Sequence, residues 1–503
     1  MPARTSRWTL RAAAAALGTL SVAAYEPFAL PAVALAAFGG LFLLWMRADH
    51  AREAAWLGFA FGLGWFLGGV SWVYVSLHTF GAMPAPLAAA VTLLFCAYLA
   101  LHPALAGYLS RRSTLSPALN WLLFAPAVFT LTEWLRGWLW TGFPWLNPGY
   151  SQVPASPLAG YAPVFGLHGL TLALLATAAA LAWLLHARAW RQARGLWPVC
   201  AALLLLWGCG AALRTVDWTE AAGPPLRVSL IQGNVAQDLK WREDQLRHTL
   251  ERYLRLVRAS DAQLIVLPET ALPLFLDQVS RDYLDALAAH ARARGGDLLL
   301  GIPERIPGGG YYNSVVSLGS APPQFYRKDH LVPFGEFIPL RPLLGFIVSF
   351  LAIPLQDFAR GGAMQQPLAV AGQQVAMNIC YEDAFGEEII RQLPQATLLV
   401  NVSNVAWFGR SLAPRQHLQI AQMRALESGR PMLRATNTGI TAVIAPDGRV
   451  EAIAPEFSEA IITREVVGRS GTTPFVRWGN LAALLLCVLA IVAALVLGKR
   501  HRG

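Results

Sequence analysis

Apolar residues are concentrated in long runs towards both ends of the chain, and a stretch of mixed polarity separates them. A helix needs about 20 predominantly apolar residues to cross a bilayer. The segments that approach this length are residues 11–25, 27–46, 55–77, 86–109, 117–135, 159–185, 196–213 and 478–497. The pattern predicts a polytopic α-helical membrane domain with about eight transmembrane helices.

The first of these segments is short and follows Arg4, Arg7 and Arg11. A basic start, an apolar stretch and the small residues Val22-Ala23-Ala24 also describe a cleaved signal peptide. This alternative leaves the orientation of every later segment unchanged.

The periodicity changes after Pro224, where short apolar or alternating runs typical of strands follow one another between segments of helical spacing. The predicted strands are 227–232, 262–268, 297–302, 314–318, 374–379, 397–402, 441–444 and 450–454, and the predicted helices are 241–260, 283–294, 387–392 and 416–428. Asp447-Gly448 predicts a hairpin turn between the last two strands. This alternation favours an α/β domain whose sheet is covered by helices.

Charged residues make up only 14% of the chain, against about 25% in a typical soluble protein. The deficit falls at the two ends, since residues 214–476 have an ordinary soluble composition and are long enough to bury a core. The predicted domains are a membrane domain over 1–213 with about seven transmembrane helices, a soluble domain over 214–476, and a closing helix with a basic tail over 477–503.

Two stretches admit alternative interpretations. Residues 340–355 are strongly apolar, but Pro342 and Pro354 bracket a run that is too short to span a bilayer. This run is predicted to be an interfacial arm that touches the membrane or, alternatively, a buried helix. The Trp-rich loop 137–157 is either an interfacial aromatic belt or one wall of a lipid-binding cleft.

Positive residues cluster in alternate loops between the apolar segments, a pattern that sets the orientation of a membrane protein. The clusters are Arg47 with Arg52, Arg111 with Arg112, Arg188 with Arg191 and Arg194, and Lys499 with Arg500 and Arg502; Arg136 is the exception. They predict two cytoplasmic termini and a soluble domain on the periplasmic face of a bacterial inner membrane. The net charge of +10 is therefore attributed to topology, and without a basic stripe interleaved with aromatic residues nucleic-acid binding is not expected.

Reactive side chains follow three strand-like or apolar segments of the soluble domain. Glu269 follows Leu264-Ile-Val-Leu-Pro, Lys328 follows Tyr326-Arg, and Cys380 follows Met377-Asn-Ile. Strand ends are where α/β sheets present their chemistry. A thiol becomes a good nucleophile beside a base or a positive charge, and a lysine can also stabilise an oxyanion. Singly, each residue is more readily explained as core or turn, but together they predict a thiol-dependent enzyme.

Cys380 is the only one of five cysteines in the soluble stretch, because the other four lie in apolar runs. A disulfide framework is therefore excluded there. No pair of cysteines has metal-ligand spacing, so neither a metal nor another cofactor is expected.

The three segments resemble the Glu–Lys–Cys signature of the nitrilase, or carbon–nitrogen hydrolase, superfamily. This resemblance implies a four-layer α-β-β-α sandwich in which Glu269 is the general base, Lys328 stabilises the oxyanion and Cys380 is the nucleophile. With its membrane helices and Lys328-x-x-Leu-Val-Pro-Phe-Gly-Glu336, the whole chain resembles the apolipoprotein N-acyltransferase family. Further matching segments are Gln232-Gly-Asn234, Trp241, Asn401-Val-Ser-Asn404, Trp407-Phe408-Gly409, Arg424-Ala-Leu-Glu427-Ser-Gly-Arg430 and Arg434-Ala-Thr-Asn437-Thr-Gly.

The family resemblance implies that an acyl chain passes from a membrane phospholipid to Cys380 as a thioester, and then to the α-amine of a diacylglyceryl-cysteine on an apolipoprotein. Supporting roles fall to Glu336, Tyr381 and Glu382, for which structural hydrogen bonding is the alternative. Substrate contacts are expected from Trp241, Trp407 and Phe408. The expected partners are thus the phospholipid donor and the diacylated apolipoprotein acceptor, and the enzyme is expected to act as a monomer.

Two other functions fit parts of the sequence. A membrane-tethered amidase would share the triad, although one helix would suffice as its tether. A transporter or receptor with a non-catalytic external domain would carry charges within the membrane, for which Glu133 is the clear candidate. Loss of the Glu, Lys or Cys would favour this second alternative, and all three are present.

Overall fold

A computed structural model describes residues 6–187, 193–339, 342 and 357–500. The chain divides into two compact units, one formed by Met1–Val73, Pro86–Val216 and Arg477–Gly503 and the other by Tyr74–Ala85 and Asp217–Val476. Apart from Pro342, the apolar stretch 340–355 lies outside the described residues. Its interpretation as an interfacial arm therefore stays a prediction.

The first unit is built from helices. The longer ones are Arg7–Ser21, Pro31–Arg47, Ala51–Val70, Ala85–Arg112, Ala125–Arg136, Ala162–His186, Ala193–Leu213 and Leu481–Arg500. Within the described residues, six stretches are long and apolar enough to cross a membrane: Ala51–Val70, Ala85–Arg112, Pro117–Arg136, Pro157–His186, Leu196–Leu213 and Leu481–Lys499. The prediction of a polytopic helical domain is thus confirmed. The first two predicted spans, however, correspond to helices of only 15 and 17 residues.

One predicted span ends earlier than the hydrophobic pattern suggests. The third helix stops at Val70, and the chain continues through a short turn and the π-helical segment Ser76–Phe80. Gly81 and Pro84 then interrupt the helical run before the next helix begins at Ala85. Residues Tyr74–Ala85 group with the second unit, whereas the sequence placed them in the membrane domain.

Arg136, the one loop cation that departed from the charge pattern, is not a surface residue. Its side chain is buried and pairs with the buried carboxylate of Glu133. It also donates hydrogen bonds to the carbonyl oxygens of Phe143 and, at 3.0 Å, Trp145. The charges of Arg136 and Glu133 neutralise each other inside the protein. Arg136 is therefore not counted among the loop charges that indicate orientation, and Glu133 has a structural partner. In the same loop Trp145 is buried, whereas Trp138 is exposed.

Removing one member of this pair is expected to destabilise the helical unit. Arg136→Met leaves the Glu133 carboxylate without its cation in an apolar interior, which costs about 3–5 kcal/mol. The thermal unfolding midpoint of the detergent-solubilised protein should therefore fall clearly, and Arg136→Met/Glu133→Gln should recover much of the loss. Arg112→Met, at an exposed position, is the control. An unchanged midpoint in Arg136→Met would show that the pair is not structural.

Over its described residues, the second unit has two six-stranded sheets and a small two-stranded one. The strands are β1 Thr219–Ala221, β2 Leu226–Gln232, β3 Leu264–Val266, β4 Asp297–Arg305, β5 Tyr311–Gly319, β6 Phe325–Arg327, β7 Leu368–Val370, β8 Gln373–Ile379, β9 Leu398–Ser403, β10 Met432–Thr436, β11 Ala442–Ile444, β12 Val450–Ile453, β13 Ala460–Val466 and β14 Arg469–Gly471. The sheet orders are β13-β2-β3-β4-β5-β6 and β12-β11-β10-β9-β8-β7. In the first sheet β2, β3 and β4 are parallel, as are β8, β9 and β10 in the second.

Alternate residues of these strands point to opposite faces, which explains the layered arrangement. The core shared by the two sheets includes Val228, Leu230, Leu264, Val266, Val375, Met377, Leu398 and Val400. Helices Glu243–Arg258 and Arg281–Arg292 cover the outer face of the first sheet, and helix Ala413–Ser428 covers that of the second. The predicted four-layer α-β-β-α sandwich is therefore confirmed.

The sequence predicted no strand at six of these places, namely β1, β6, β7, β10, β13 and β14. It also predicted a helix at 387–392, where the structure has the short helix Gly386–Ile389 followed by a 3₁₀ turn. Helix Ala413–Ser428 ends where Gly429 adopts a left-handed φ of 65°, and a β-carbon there would lie 2.7 Å from Thr219 Cγ2. Only glycine meets both conditions without strain.

Candidate active site

The loops after three strands bring Glu269, Lys328 and Cys380 together. Glu269 follows β3, Lys328 follows β6 in the same sheet, and Cys380 follows β8 in the other sheet. The Lys328 Nζ atom lies 3.8 Å from Glu269 Oε1, and the charges of both groups influence the Cys380 thiol. The fold therefore places a buried carboxylate, a buried ammonium group and a partly buried thiol in one cluster between the sheets.

Two hydrogen bonds orient the Glu269 carboxylate. The side-chain amide of Asn313, on β5, donates to Oε1 at 2.8 Å. The backbone N–H of Asn404, just after β9, donates to Oε2 at 2.7 Å. Each sheet thus holds one oxygen of a carboxylate that is only 7% exposed.

Lys328 is held as an ammonium ion. Burial alone would lower its pKa, but Glu336 and then Glu269 raise it, and the pKa of Lys328 ends above its ordinary value. The Nζ atom donates to Glu336 Oε1 at 2.8 Å, and Glu336 Oε2 accepts a hydrogen bond from the backbone of Val332. The structure therefore brings Glu336 against Lys328, and its supporting role in the reaction stays a prediction.

Cys380 is a protonated thiol in the resting enzyme. Burial raises its pKa first, the negative charge of Glu269 raises it further, and the positive charge of Lys328 lowers it; the net change is upward. A thiol with a raised pKa can act as a nucleophile only when a base removes its proton. The backbone of Cys380 has a φ of 55°, a left-handed conformation that is rare for a residue with a side chain.

Glu382 and Tyr381 occupy structural positions beside the cluster. Glu382 accepts hydrogen bonds from the backbone N–H groups of Ile379 and Asp329 at 2.7 Å each and from the Tyr326 hydroxyl at 3.0 Å. Burial raises the pKa of Glu382 to about 7, against the opposing effects of Lys328 and the backbone donors. Glu382 thus ties the Cys380 turn to the loop that carries Lys328 through hydrogen bonds. Tyr381 is buried, with its ring 5.1 Å from that of Phe385.

The three aromatic residues predicted to contact substrates are partly exposed. Trp407 and Phe408 lie in the 3₁₀ turn Val405–Phe408, which follows β9, and the Trp407 ring meets Phe80 edge-on with centroids 6.3 Å apart. Trp241 lies near the end of the loop that joins β2 to helix Glu243–Arg258. Their role in substrate binding remains a prediction.

Sequence reasoning assigned no role to three residues around Glu269. Asn313 also donates to Glu336 at 3.2 Å and so links the two carboxylates. Lys240 is buried, and burial lowers its pKa to about 8, while Glu269 acts in the opposite direction. Asn404 belongs to one of the matching segments, which assigns it no role. Asn313 directly precedes the predicted strand 314–318, and Lys240 directly precedes Trp241. These positions in the sequence do not reveal that either residue lies near Glu269.

Among the residues that the structure describes, no group of three or more His, Cys, Asp or Glu side chains is arranged to hold a metal ion. A thiol beside a carboxylate and an ammonium ion is equipped for acyl transfer through a covalent intermediate.

Comparison with known proteins assigns both units. Residues 17–180 match the apolipoprotein N-acyltransferase N-terminal domain, and residues 227–474 match the carbon–nitrogen hydrolase family. An apolipoprotein N-acyltransferase from Nitrosomonas europaea is 52% identical, with 96% of each chain covered. Relatives of the same name from Chromobacterium violaceum and Ralstonia nicotianae are 48% and 47% identical, over 98% and 97% of this chain and 94% and 93% of theirs. The chain belongs to the apolipoprotein N-acyltransferase family.

Proposed function

We propose that Cys380 carries an acyl chain from a membrane phospholipid to the α-amine of the diacylglyceryl-cysteine of an apolipoprotein. The observation that supports this is the cluster itself. The Lys328 ammonium lies 3.8 Å from the Glu269 carboxylate, and both charges affect the pKa of the Cys380 thiol. Membership of the N-acyltransferase family supplies the substrate classes.

In the first step the Cys380 sulfur attacks the carbonyl carbon of a phospholipid ester while Glu269 takes the thiol proton. The negative charge that develops on the carbonyl oxygen is stabilised by the Lys328 ammonium. The carbon–oxygen bond then breaks, and Glu269 returns the proton to the departing alkoxide. The products are a thioester on Cys380 and a lysophospholipid.

In the second step the neutral α-amine of the acceptor attacks the thioester carbonyl. Glu269 accepts a proton from the nitrogen and returns it to the Cys380 sulfur as the carbon–sulfur bond breaks. The amide product is more stable than the thioester, so the step runs downhill. Because each substrate enters after the previous product leaves, one site serves both in a ping-pong cycle.

The partly exposed aromatic residues support a site that receives lipid chains. Trp241, Trp407 and Phe408 provide apolar surface for the substrates and help to keep water from the thioester, which water would otherwise hydrolyse. One chain holds the complete triad, and we assign the activity to the monomer.

We assign residues 214–476 to the periplasmic face of the inner membrane, with both termini in the cytoplasm. The alternating positive loops support this orientation. The burial of Arg136 removes the one cation that did not fit the pattern.

The test is transfer in two separate stages. Purified protein in mixed micelles is incubated with a phospholipid labelled in its acyl chain, and the Cys380 peptide is examined for a hydroxylamine-sensitive adduct. A diacylated lipopeptide with a free α-amine is then added. We expect the label to leave Cys380 and to appear as an N-linked amide on the lipopeptide.

Two variants serve as controls for this measurement. Cys380→Ala should yield neither adduct nor product, whereas Cys209→Ser, which removes an exposed thiol, should behave as wild type. Release of the label as free fatty acid in place of amide would instead identify a hydrolase. Amide formation by Cys380→Ala would overturn the thioester mechanism.

A further inference from the structure

The backbone of Cys380 is held in an unfavourable conformation at the point where the nucleophile is presented. Its φ of 55° places the β-carbon close to its own carbonyl oxygen, which is sterically unfavourable. Such a conformation persists only where surrounding groups impose it. The groups that bind the Cys380 carbonyl are therefore informative.

Two buried side chains from different elements bind that carbonyl oxygen. The Asn401 side-chain amide, on β9, donates to it at 3.1 Å. The His417 Nε2 atom, on helix Ala413–Ser428, lies 3.3 Å away. Both residues are at most 1% exposed, so water does not compete for these contacts.

Behind these two residues lies a buried ion pair that connects them. The His417 Nε2 atom is 2.6 Å from Asp383 Oδ1, and Arg434 Nη1 is 2.9 Å from Asp383 Oδ2. The same Arg434 nitrogen donates to Asn401 Oδ1 at 2.8 Å. Asn401, Arg434, Asp383 and His417 thus form a continuous chain of contacts whose two ends meet at the Cys380 carbonyl. We call these four residues the carbonyl clamp.

The charges within the carbonyl clamp balance. Burial and the neighbouring Arg434 lower the pKa of His417, so its imidazole is neutral at pH 7. Arg434 and Asp383 contribute one positive and one negative charge. The neutral imidazole donates from Nε2, and the carbonyl and the Asp383 carboxylate both accept, which is consistent with every contact observed.

We propose that the carbonyl clamp positions the nucleophile by holding the Cys380 peptide in its left-handed conformation, so that Sγ is directed into the cluster formed by Glu269 and Lys328. None of the four residues touches the substrate, and they act through Cys380. Stability alone does not account for the arrangement, because buried ion pairs are often no more stabilising than apolar side chains of similar volume. The kinetic test of this positioning role depends on the proposed function, because it measures the acylation of Cys380. The structural test does not.

The kinetic test uses variants that leave the charge of the site unchanged. Asn401→Leu and His417→Leu each remove one contact to the carbonyl, and His417→Gln restores a donor. The matched control is Ser403→Ala, which removes a 2.6 Å hydrogen bond to Asn401 Oδ1 but leaves the Asn401 amide on the carbonyl. The measurement is the rate at which Cys380 is acylated by labelled phospholipid in a single turnover, as a function of donor concentration and pH.

We expect Asn401→Leu to slow acylation by about 100-fold, the effect of a displacement of roughly 1 Å at a reacting atom. The half-saturating donor concentration and the midpoint of the pH profile should not change, because neither binding nor charge is altered. His417→Gln should acylate faster than His417→Leu, and Ser403→Ala should match wild type. Acylation at the wild-type rate in a folded Asn401→Leu protein, or equal losses in Ser403→Ala, would contradict the proposal.

A structural measurement separates this proposal from the proposed function. In a crystal or cryo-EM structure of Asn401→Leu/His417→Leu, the Cys380 carbonyl should rotate and φ should leave the left-handed region. If the φ of Cys380 stays near its present value in this variant, the carbonyl clamp does not maintain that conformation. This conclusion does not depend on the result of the acylation assay. If wild type forms no acyl adduct but φ changes in the variant, the proposed function fails and the positioning role stands.

Discussion

Replacing Glu269 by glutamine is expected to slow acylation of Cys380 by about 10²–10⁴-fold, the usual contribution of a general base, while making the same thiol easier to alkylate. The two effects have opposite signs because Glu269 has two influences on Cys380. In the proposed mechanism it accepts the thiol proton during the reaction, and its negative charge raises the pKa of the thiol before the reaction. Glutamine does neither.

The sign of the alkylation effect follows from the charges that remain. Without Glu269, the Lys328 ammonium still lowers the pKa of Cys380, and burial still raises it. The pKa therefore falls from its elevated value, and the thiolate fraction at pH 8 increases. Reaction of Cys380 with iodoacetamide should become several-fold faster, since the thiolate is the reacting form.

Peptide mass spectrometry must follow Cys380 individually, because Cys209 is also exposed. Glu251→Gln, on the solvent-exposed surface of helix Glu243–Arg258, provides a control that should change neither rate. Slower alkylation in Glu269→Gln would mean that Glu269 does not control the thiol. Unchanged acylation would remove it from the role of base.

Replacing Lys328 by methionine is the second substitution with a large expected effect, a loss of about 10²–10³-fold in the acylation rate. The lost group is the cation that we propose stabilises the oxyanion. The Lys328 Nζ atom is 2.8 Å from Glu336 and 3.8 Å from Glu269, so methionine also leaves two carboxylates facing each other without a cation. A lower thermal unfolding midpoint is therefore expected as well, and the rate must be measured well below it.

The pH dependence distinguishes this role from a proton-transfer role. Glu336 and Glu269 raise the folded-state pKa of Lys328 above its ordinary value of 10.5. The stabilisation associated with the ammonium is thus complete below that value and is lost only as the pH rises through the higher, folded-state pKa. Between pH 6 and 9 the ratio of wild-type to Lys328→Met acylation rates should stay constant. A ratio that falls towards 1 as the pH approaches 9 would show that Lys328 deprotonates in this range and is not a permanent cation.

Lys328→Arg is the matched variant for the same position. Arginine keeps the charge but is larger and directs its donors differently. We expect it to recover the thermal midpoint more fully than the rate, because the carboxylates regain a cation while the oxyanion loses a precisely placed donor. Full recovery of both would indicate that only the charge matters.

Local patterns identified most strands of the second unit, because a strand between two packed layers is apolar along its whole length, as in Leu264–Val266. They failed for Met432–Thr436, where Arg434 and Thr436 make the segment look polar. In the structure both are fully buried. Arg434 is accommodated in the core because Asp383, 51 residues earlier, supplies its counter-charge, and no local pattern reveals that partner.

The sequence by itself predicted a division into membrane and soluble parts, because hydrophobicity is a property of consecutive residues. It also singled out Glu269, Lys328 and Cys380 as candidate catalytic residues, because their neighbours in the chain form recognisable motifs. The tertiary structure decided which side chains meet: Lys328 pairs with Glu336, Glu382 ties loops together, and Asn313 and Asn404 orient Glu269. It alone revealed the carbonyl clamp. These contacts depend on the order and register of strands distant in the chain, and sheet order is set by packing of the whole domain rather than by any local run of residues.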